Sequence, residues 1–112
     1  MLIKKMEEVP AKDVEMQGAE MVKMRLLLSE EDGALNFRMR LFEVEQGGCS
    51  PYHSHNYEHE VLVLDGDGEL RGKDQVHPFK VGDVVYVSPN EEHQFRNVGD
   101  DKFRFICLIP SV

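Results

Sequence analysis

Short stretches in which apolar and polar side chains alternate recur along most of the chain, with Gly, Asp, Asn or Pro between them. A two-residue alternation is typical of a β-strand with one buried face. No apolar pattern with a period of 3.6 residues is long enough to place a helix at the centre of the fold. Eight strands are predicted, at residues 21–28, 36–45, 60–64, 68–72, 75–80, 83–87, 93–97 and 102–109. This many short strands favours an all-β fold, an antiparallel sandwich or barrel.

Three local patterns refine this picture. The last strand alternates clearly, with Phe103, Phe105 and Cys107 on one face. Residues 61–64 are continuously apolar, which predicts a strand covered on both faces. Residues 65–68, Asp-Gly-Asp-Gly, lack the carboxylate series and closing glutamate of a calcium loop, so a hairpin turn is predicted there.

Residues 1–20 differ from the rest because they are rich in charge and interrupted by Pro10, without a clean period. They are predicted to form an N-terminal arm or edge strand, and residues 21–112 a single β-barrel domain, which suits a chain of 112 residues. Sheet edges need covering, and pairing with another chain is one way to cover them, so a homodimer is expected.

Charge and composition exclude several classes of partner. The chain has 21 acidic and 13 basic residues, so its surface should repel nucleic acid and anionic membranes. Its apolar stretches are too short to span a bilayer, and charges stand where a signal peptide needs its apolar region, so a cytoplasmic location is expected. Cys49 and Cys107 show no disulfide or Cys-x-x-Cys spacing and are interpreted as reduced thiols, Cys49 in a turn.

Four of the five histidines indicate a metal site. His53, His55 and His59 fall within seven residues, and His93 follows later. Neutral imidazole is a good ligand for zinc, iron, nickel, copper and manganese. If His53 and His55 lie on a strand, they point to one face, a turn returns His59, and His93 arrives from a distant strand. A solvated histidine-rich turn or a pH-sensing patch is the alternative. His77 has no such neighbours and is predicted to lie on the surface.

Glycines frame the first histidine cluster at characteristic distances. Gly47 stands six residues before His53, and Gly66 stands seven after His59. This arrangement resembles the first motif of the cupin family, with His59 in the position where the family has glutamate.

A second block resembles the second cupin motif, with Gly82, His93 and Asn97 at the family's spacing. It departs from the motif twice. Pro89 lies one place later than usual, and Asn90 stands where the family has glycine. Because Asn tolerates left-handed backbone better than other non-glycine residues, the turn is expected to survive.

The resemblance implies a double-stranded β-helix, the jelly-roll barrel of cupins. It is strongest to small single-domain cupins that hold manganese with four histidines, which carry similar His-Ser-His and Phe-x-Cys-Leu-Ile-Pro segments. It therefore implies one divalent transition metal per chain bound by His53, His55, His59 and His93. Manganese comes first, and iron, zinc, nickel and copper remain open. The subgroup's chemistry implies a small-molecule substrate, dioxygen, and oxidative cleavage of a double bond.

Four residues are candidates for the substrate pocket. Phe105 and Cys107 match residues that line the pocket in that subgroup, although both could be plain core. Phe95 could provide another apolar wall. Arg40 could pair with an anionic substrate, if its strand face turns inward and it is not ion-paired on the surface.

Two functional classes remain open. The first is a manganese- or iron-dependent oxidoreductase. The second is a metal-dependent isomerase or a non-catalytic binding protein. An isomerase needs a carboxylate or lysine as general base beside the metal, and the motifs offer Glu58, Glu60, Glu91 and Glu92.

Overall fold

The structure, a computed structural model, describes residues 1–111 and is 51% strand and 5% helix. Its strands are β1 Lys12–Asp13, β2 Glu20–Leu28, β3 Phe37–Cys49, β4 His59–Asp65, β5 Gly68–Arg71, β6 Val76–Phe79, β7 Val84–Val87, β8 Gln94–Asn97 and β9 Phe103–Pro110. The helical segments in this range are two 3₁₀ turns, Met6–Glu8 and Glu30–Asp32, and neither is long enough to cross a membrane. All eight predicted strands are confirmed.

The strands form one curled antiparallel sheet, which confirms the jelly-roll barrel. Its order is β6-β5-β8-β3-β9-β4-β7, and β2 and then β1 extend it from β3. The long strand β3 pairs with three others, β2, β8 and β9, so it links β8 to β9 in the sheet and also carries β2.

Alternate residues of β3, β4 and β9 fill the barrel. Val44, Val63, Phe103 and Phe105 are at most 2% exposed. The prediction that residues 61–64 are covered on both faces is wrong, because Leu62 is 40% exposed. Only the inward face of β4 is packed.

Residues 65–68 form a turn but not a hairpin, which corrects the prediction. β4 pairs with β7 and β9, whereas β5 pairs with β6 and β8, so the turn connects strands that are not neighbours. Gly66 has a φ of +81°, a conformation that favours glycine. A Cβ on Gly68 would lie 2.5 Å from the ring of Phe103.

The sequence predicted Cys49 in a turn, and this prediction is wrong. Cys49 is the last residue of β3 and pairs with Glu20 of β2 and Arg96 of β8. Both cysteines are free thiols.

The N-terminal residues lie against the barrel. β1 pairs with β2. Arg25 donates to the carbonyl oxygens of Glu7 and Val9, at 3.0 and 2.7 Å. Arg104 pairs with the Glu7 carboxylate at 2.8 Å, and Arg25 and Arg104 both pair with the buried Glu43. These contacts hold the segment against β2, β3 and β9.

Candidate metal centre and its cavity

Four histidines reach one end of the barrel from three parts of the chain. His59 opens β4, and His93 lies one residue before β8. The spacing of His53 and His55 suggested a strand. They lie instead in the connection between β3 and β4. His53 is instead tied to His93 by an isolated β-bridge, in which each N–H donates to the other's carbonyl oxygen at 3.1 and 2.9 Å.

A tight turn fixes the segment that carries His93. Asn90 has a φ of +66°, which confirms that Asn takes left-handed backbone where the family has glycine. Its N–H donates to the carbonyl oxygen of His55 at 2.5 Å. The carboxylate of Glu91 accepts from the N–H of Ser88 at 3.0 Å. The turn thereby locks the two motifs together beside the histidines.

The four imidazole rings form a compact cluster. Neighbouring ring centroids are 4.1 to 5.7 Å apart. The ligand atoms of His53, His55 and His93 lie within 4.8 Å of one another, so these three form a group that could hold a metal ion. The ring of His59 is 4.9 Å from that of His93, and its Nε2 is buried without a hydrogen-bond partner. His59 as a fourth ligand stays a prediction.

The donor atoms suit a divalent transition metal. The Nε2 atoms of His53 and His55 are 3.1 Å apart, a separation that lets both reach one ion at about 2.0–2.1 Å. Nδ1 of His93 donates to the carbonyl oxygen of Glu91 at 2.8 Å, which leaves Nε2 free as a ligand. The unpartnered Nε2 of His59 is a further free nitrogen. An all-imidazole set fits zinc, copper, iron, nickel and manganese alike.

Burial keeps the histidines neutral. It lowers the pKa of His53 to about 4 and that of His59 to about 3, helped by the neighbouring imidazoles and the positive charge of Arg40. Burial also lowers the pKa values of His55 and His93, although the hydrogen bond of His93 to Glu91 opposes the shift. Near neutral pH the lone pairs are therefore available without displacing protons.

The histidines line a cavity of about 170 Å³ inside the barrel mouth. A ladder of phenylalanines forms one wall, with Phe105 stacked on Phe42 at 5.2 Å and on Phe95 at 4.5 Å between ring centroids. Tyr57 stacks on His55 at 4.8 Å with nearly parallel planes. Apart from the imidazoles and Arg40, most of the cavity lining is apolar.

Arg40 places an unpaired positive charge in this cavity. It is half-buried on β3, and its Nη2 donates to Sγ of Cys107 at 3.2 Å. Its Nε is buried without a hydrogen-bond partner, and within residues 1–111 it forms no ion pair, whereas four other arginines do. A desolvated guanidinium with free donors is a binding site for an anion.

All four predicted pocket residues, Arg40, Phe95, Phe105 and Cys107, line the cavity with the histidines. Sequence reasoning missed other parts of the lining: Val14, Met16, Val22, Phe42, Ser50, Pro51 and Tyr57. Phe42 could have been inferred, because it follows Arg40 by two residues on one strand and shares its face. Val14 and Met16 carry no such signal, since they lie in the N-terminal segment.

The glutamates adjacent to the histidines lie outside the cavity. Glu58, Glu60, Glu91 and Glu92 are all exposed, and none lines it. Glu92 accepts a hydrogen bond from the hydroxyl of Tyr52 at 2.7 Å. The lining residues in the described chain include no carboxylate and no lysine. His77 lies on the surface as predicted, beside Gln75.

A larger groove of about 770 Å³ lies between the N-terminal segment and β2, and no histidine lines it. Its lysines and acidic residues are those of a solvated surface, and Lys4 is already paired with Asp32 at 2.8 Å. The convergent histidines and the unpaired arginine instead make the smaller cavity the candidate chemical site.

Comparison with known proteins agrees with this geometry. Residues 40–109 match the family model described as "Cupin domain". Over its whole length, the chain superposes with a TM-score of 0.95 on the polyketide cyclase RemF from Streptomyces resistomycificus, at 30% identity, and covers 80% of that chain.

Two curated relatives are similar in sequence. The chain is 30% identical to 1-methylthio-D-xylulose 5-phosphate methylsulfurylase of Rhodospirillum rubrum, with 77% of this chain and 65% of the relative aligned. It is 32% identical to glucose-6-phosphate isomerase of Pyrococcus abyssi, with 73% of this chain and 50% of the relative aligned. The chain thus spans at most about two thirds of these relatives.

Proposed function

The chain belongs to the cupin family, and we propose that it is a metal-dependent oxidoreductase that cleaves a small anionic organic substrate with dioxygen. One observation carries the proposal: neutral imidazoles and an unpaired arginine open onto the same small apolar cavity. The imidazoles form one end, where a metal can bind, and Arg40 supplies the charge that selects the substrate.

His53, His55, His59 and His93 would hold the ion, with manganese as the first candidate and iron as the second. When bound, such an ion supplies redox chemistry and Lewis acidity. An all-histidine site adds no negative charge, so the ion keeps its attraction for an enolate or carboxylate. The hydrogen bond from His93 to Glu91 keeps one ring in the orientation that a ligand needs.

The remaining residues bind and orient the substrate. Arg40 would hold an anionic group at the end of the cavity formed by β3. The rings of Phe42, Phe95 and Phe105 would stack on a planar carbon skeleton and exclude water. The cavity of about 170 Å³ is smaller than the roughly 300–1,000 Å³ of pockets for drug-sized ligands, which favours a small substrate.

The proposed reaction needs no reductant. One C=C bond and the O=O bond break, and two C=O bonds form, so that both oxygen atoms end in the carbonyl products. Dioxygen is the only oxidant. Each molecule of substrate consumed should therefore remove one molecule of dioxygen.

An oxygen electrode tests the proposal. Manganese- or iron-loaded protein should consume dioxygen with one or more members of a panel of small alkenyl carboxylates and enolisable keto acids, and metal-free protein should not. Absence of uptake across the panel in protein shown to contain metal would contradict it.

Substitution of Arg40 tests the choice of an anionic substrate. Arg40→Met removes a charged hydrogen-bond donor worth about 1.5–3 kcal/mol, so KM for an anionic substrate should rise roughly tenfold to a hundredfold. For the uncharged methyl ester of the same substrate, the substitution should leave KM unchanged. Arg38→Met is the matched control, because Arg38 lies two residues earlier on β3 and pairs with Glu30 at 2.5 Å outside the cavity.

A second candidate function is a redox-neutral reaction on the same metal, such as a cyclisation. The likeness to the polyketide cyclase over the whole chain supports it. In that case turnover should persist without dioxygen and with zinc in the site, whereas the oxidative reaction should stop under both conditions.

The isomerase alternative receives less support. It needs a general base beside the metal, and the cavity lining in the described chain has neither a carboxylate nor a lysine.

A further inference from the structure

A buried thiol connects the two nitrogen-bearing side chains that are incompletely satisfied in the cavity. Cys107 on β9 lies opposite Arg40 of β3 on one side and Val61 of β4 on the other. Its Sγ is 3.2 Å from Nη2 of Arg40 and 3.5 Å from Nδ1 of His59, and Cys107 is 2% exposed. Both Nε of Arg40 and Nε2 of His59 are buried without a partner.

The hydrogen-bond partner of Nδ1 decides what Nε2 can do. A neutral imidazole carries one proton, so a ring that offers its Nε2 lone pair must carry that proton on Nδ1. A buried Nδ1–H needs an acceptor. His93 has one, the carbonyl oxygen of Glu91 at 2.8 Å. For His59 the atom in that place is Sγ of Cys107.

The direction of the bond follows from the surroundings of the sulfur. If the thiol donated to Nδ1, the ring proton would move to Nε2, where it would be buried and unpaired. Arg40 already points an N–H at the same sulfur, so Sγ serves as an acceptor there, and its own S–H, a weak donor, costs less to leave unpaired than a ring N–H. An arrangement in which Sγ accepts from both side chains leaves Nε2 of His59 as a free lone pair.

We propose that Cys107 is a positioning residue of the metal centre: its sulfur accepts the Nδ1–H of His59, which fixes the tautomer that binds metal, and it also accepts an N–H of Arg40, which holds the guanidinium in the cavity. The proposal rests on the metal role given to His59 above. It assigns Cys107 no contact with the ion.

Zn²⁺ affinity, measured by competition with a chromophoric chelator, tests this role without any substrate. Cys107→Ala should weaken binding about tenfold to a hundredfold, the usual cost of losing such a partner. Cys107→Ser should recover most of the affinity, because a hydroxyl oxygen can accept the same N–H. Val63→Ala is the matched control: it also truncates a buried side chain, 1% exposed, but at a position outside the cavity lining, so it should lower stability and leave affinity unchanged.

A nitrogen NMR experiment on ¹⁵N-histidine-labelled, metal-free wild-type protein adds a readout that neither metal ligation nor packing alone would impose. His59 should show a proton on Nδ1, as His93 should, and Cys107→Ala should alter the His59 signals selectively. The experiment on wild type holds even if Cys107→Ala fails to fold. A proton on Nε2 of His59 would overturn the proposal.

Two failures can be told apart. If wild type binds Zn²⁺ tightly and Cys107→Ala binds it equally well, or Cys107→Ser binds no better than Cys107→Ala, the positioning role is wrong and the metal site stands. If wild type binds no Zn²⁺, Mn²⁺ or Fe²⁺, the metal function itself is wrong and the role of Cys107 fails with it.

Discussion

Metal binding by this cluster should resist mild acid. A ligand imidazole with the ordinary pKa of about 6.5 is about nine-tenths protonated at pH 5.5, which lowers metal affinity about elevenfold for each histidine, or roughly 10⁴-fold for four. The lowered pKa values of His53, about 4, and His59, about 3, leave both neutral at pH 5.5. Protonation of His55 and His93 would lower metal affinity by at most about a hundredfold even if both had ordinary pKa values. Burial lowers their pKa values as well.

The assay is a competition titration with Mn²⁺ or Zn²⁺ at pH 7.5 and pH 5.5. The protein should lose less than about a hundredfold in affinity. A synthetic peptide of residues 53–59 is the control, because its three solvated imidazoles should lose about 10³-fold. A loss near 10⁴-fold in the folded protein would refute the reasoning that burial keeps the ligands neutral. Undiminished binding at pH 2 would show that the histidines are not the ligands.

Further expectations test the ligands, the fold and the assembly. His59→Glu should keep its metal and change turnover, because it adds one negative charge to the ligands of the ion. His93→Ala should lose much of the metal. The reverse pattern in elemental analysis would exclude both residues as ligands. The free energy of unfolding of the metal-free protein, measured with a chemical denaturant, should fall as the pH is lowered from about 6.5 towards 3. The unfolded chain takes up protons at histidines that the fold keeps neutral. A free energy that does not change with pH would contradict the lowered pKa values. Gly68→Ala should lower the stability of the fold by about 1–3 kcal/mol, because the added Cβ clashes with Phe103. Gly72→Ala should lower it little, because its Cβ meets neighbours only at 3.7 Å. Equal melting temperatures for the two variants would refute this. Sedimentation should show a homodimer that covers a sheet edge, and a monomer at micromolar concentration would exclude it.

Much of the barrel could be predicted because its strands alternate and end at glycine, proline or asparagine. Pairing could not be predicted in the same way. Residues 65–68 have the composition of a hairpin turn, yet β4 and β5 pair with other strands. A turn sequence does not encode which strands become neighbours. β1 has two residues, too few for any period, and it is held by pairing with β2 while Arg25 and Arg104 anchor the segment before it.

The histidines could be identified from spacing, but their supports could not. His53 is positioned by a β-bridge to His93 and His55 by the hydrogen bond from the N–H of Asn90, and strand alternation positions neither. The inward turn of Arg40 depends on the register of β3 against β9, which places it opposite Cys107. Met16 reaches the cavity from a segment with no motif. Long-range register and loop packing decide such contacts, and neither leaves a local pattern.

The most direct test of the central claim is to locate the metal. Elemental analysis of the purified protein, followed by anomalous diffraction at the absorption edge of the metal found, should give about one transition-metal ion per chain. The anomalous peak should lie among the rings of His53, His55, His59 and His93. Protein that stays metal-free after incubation with Mn²⁺, Fe²⁺ and Zn²⁺, or a peak elsewhere on the molecule, would contradict the assignment of this cavity as a metal centre.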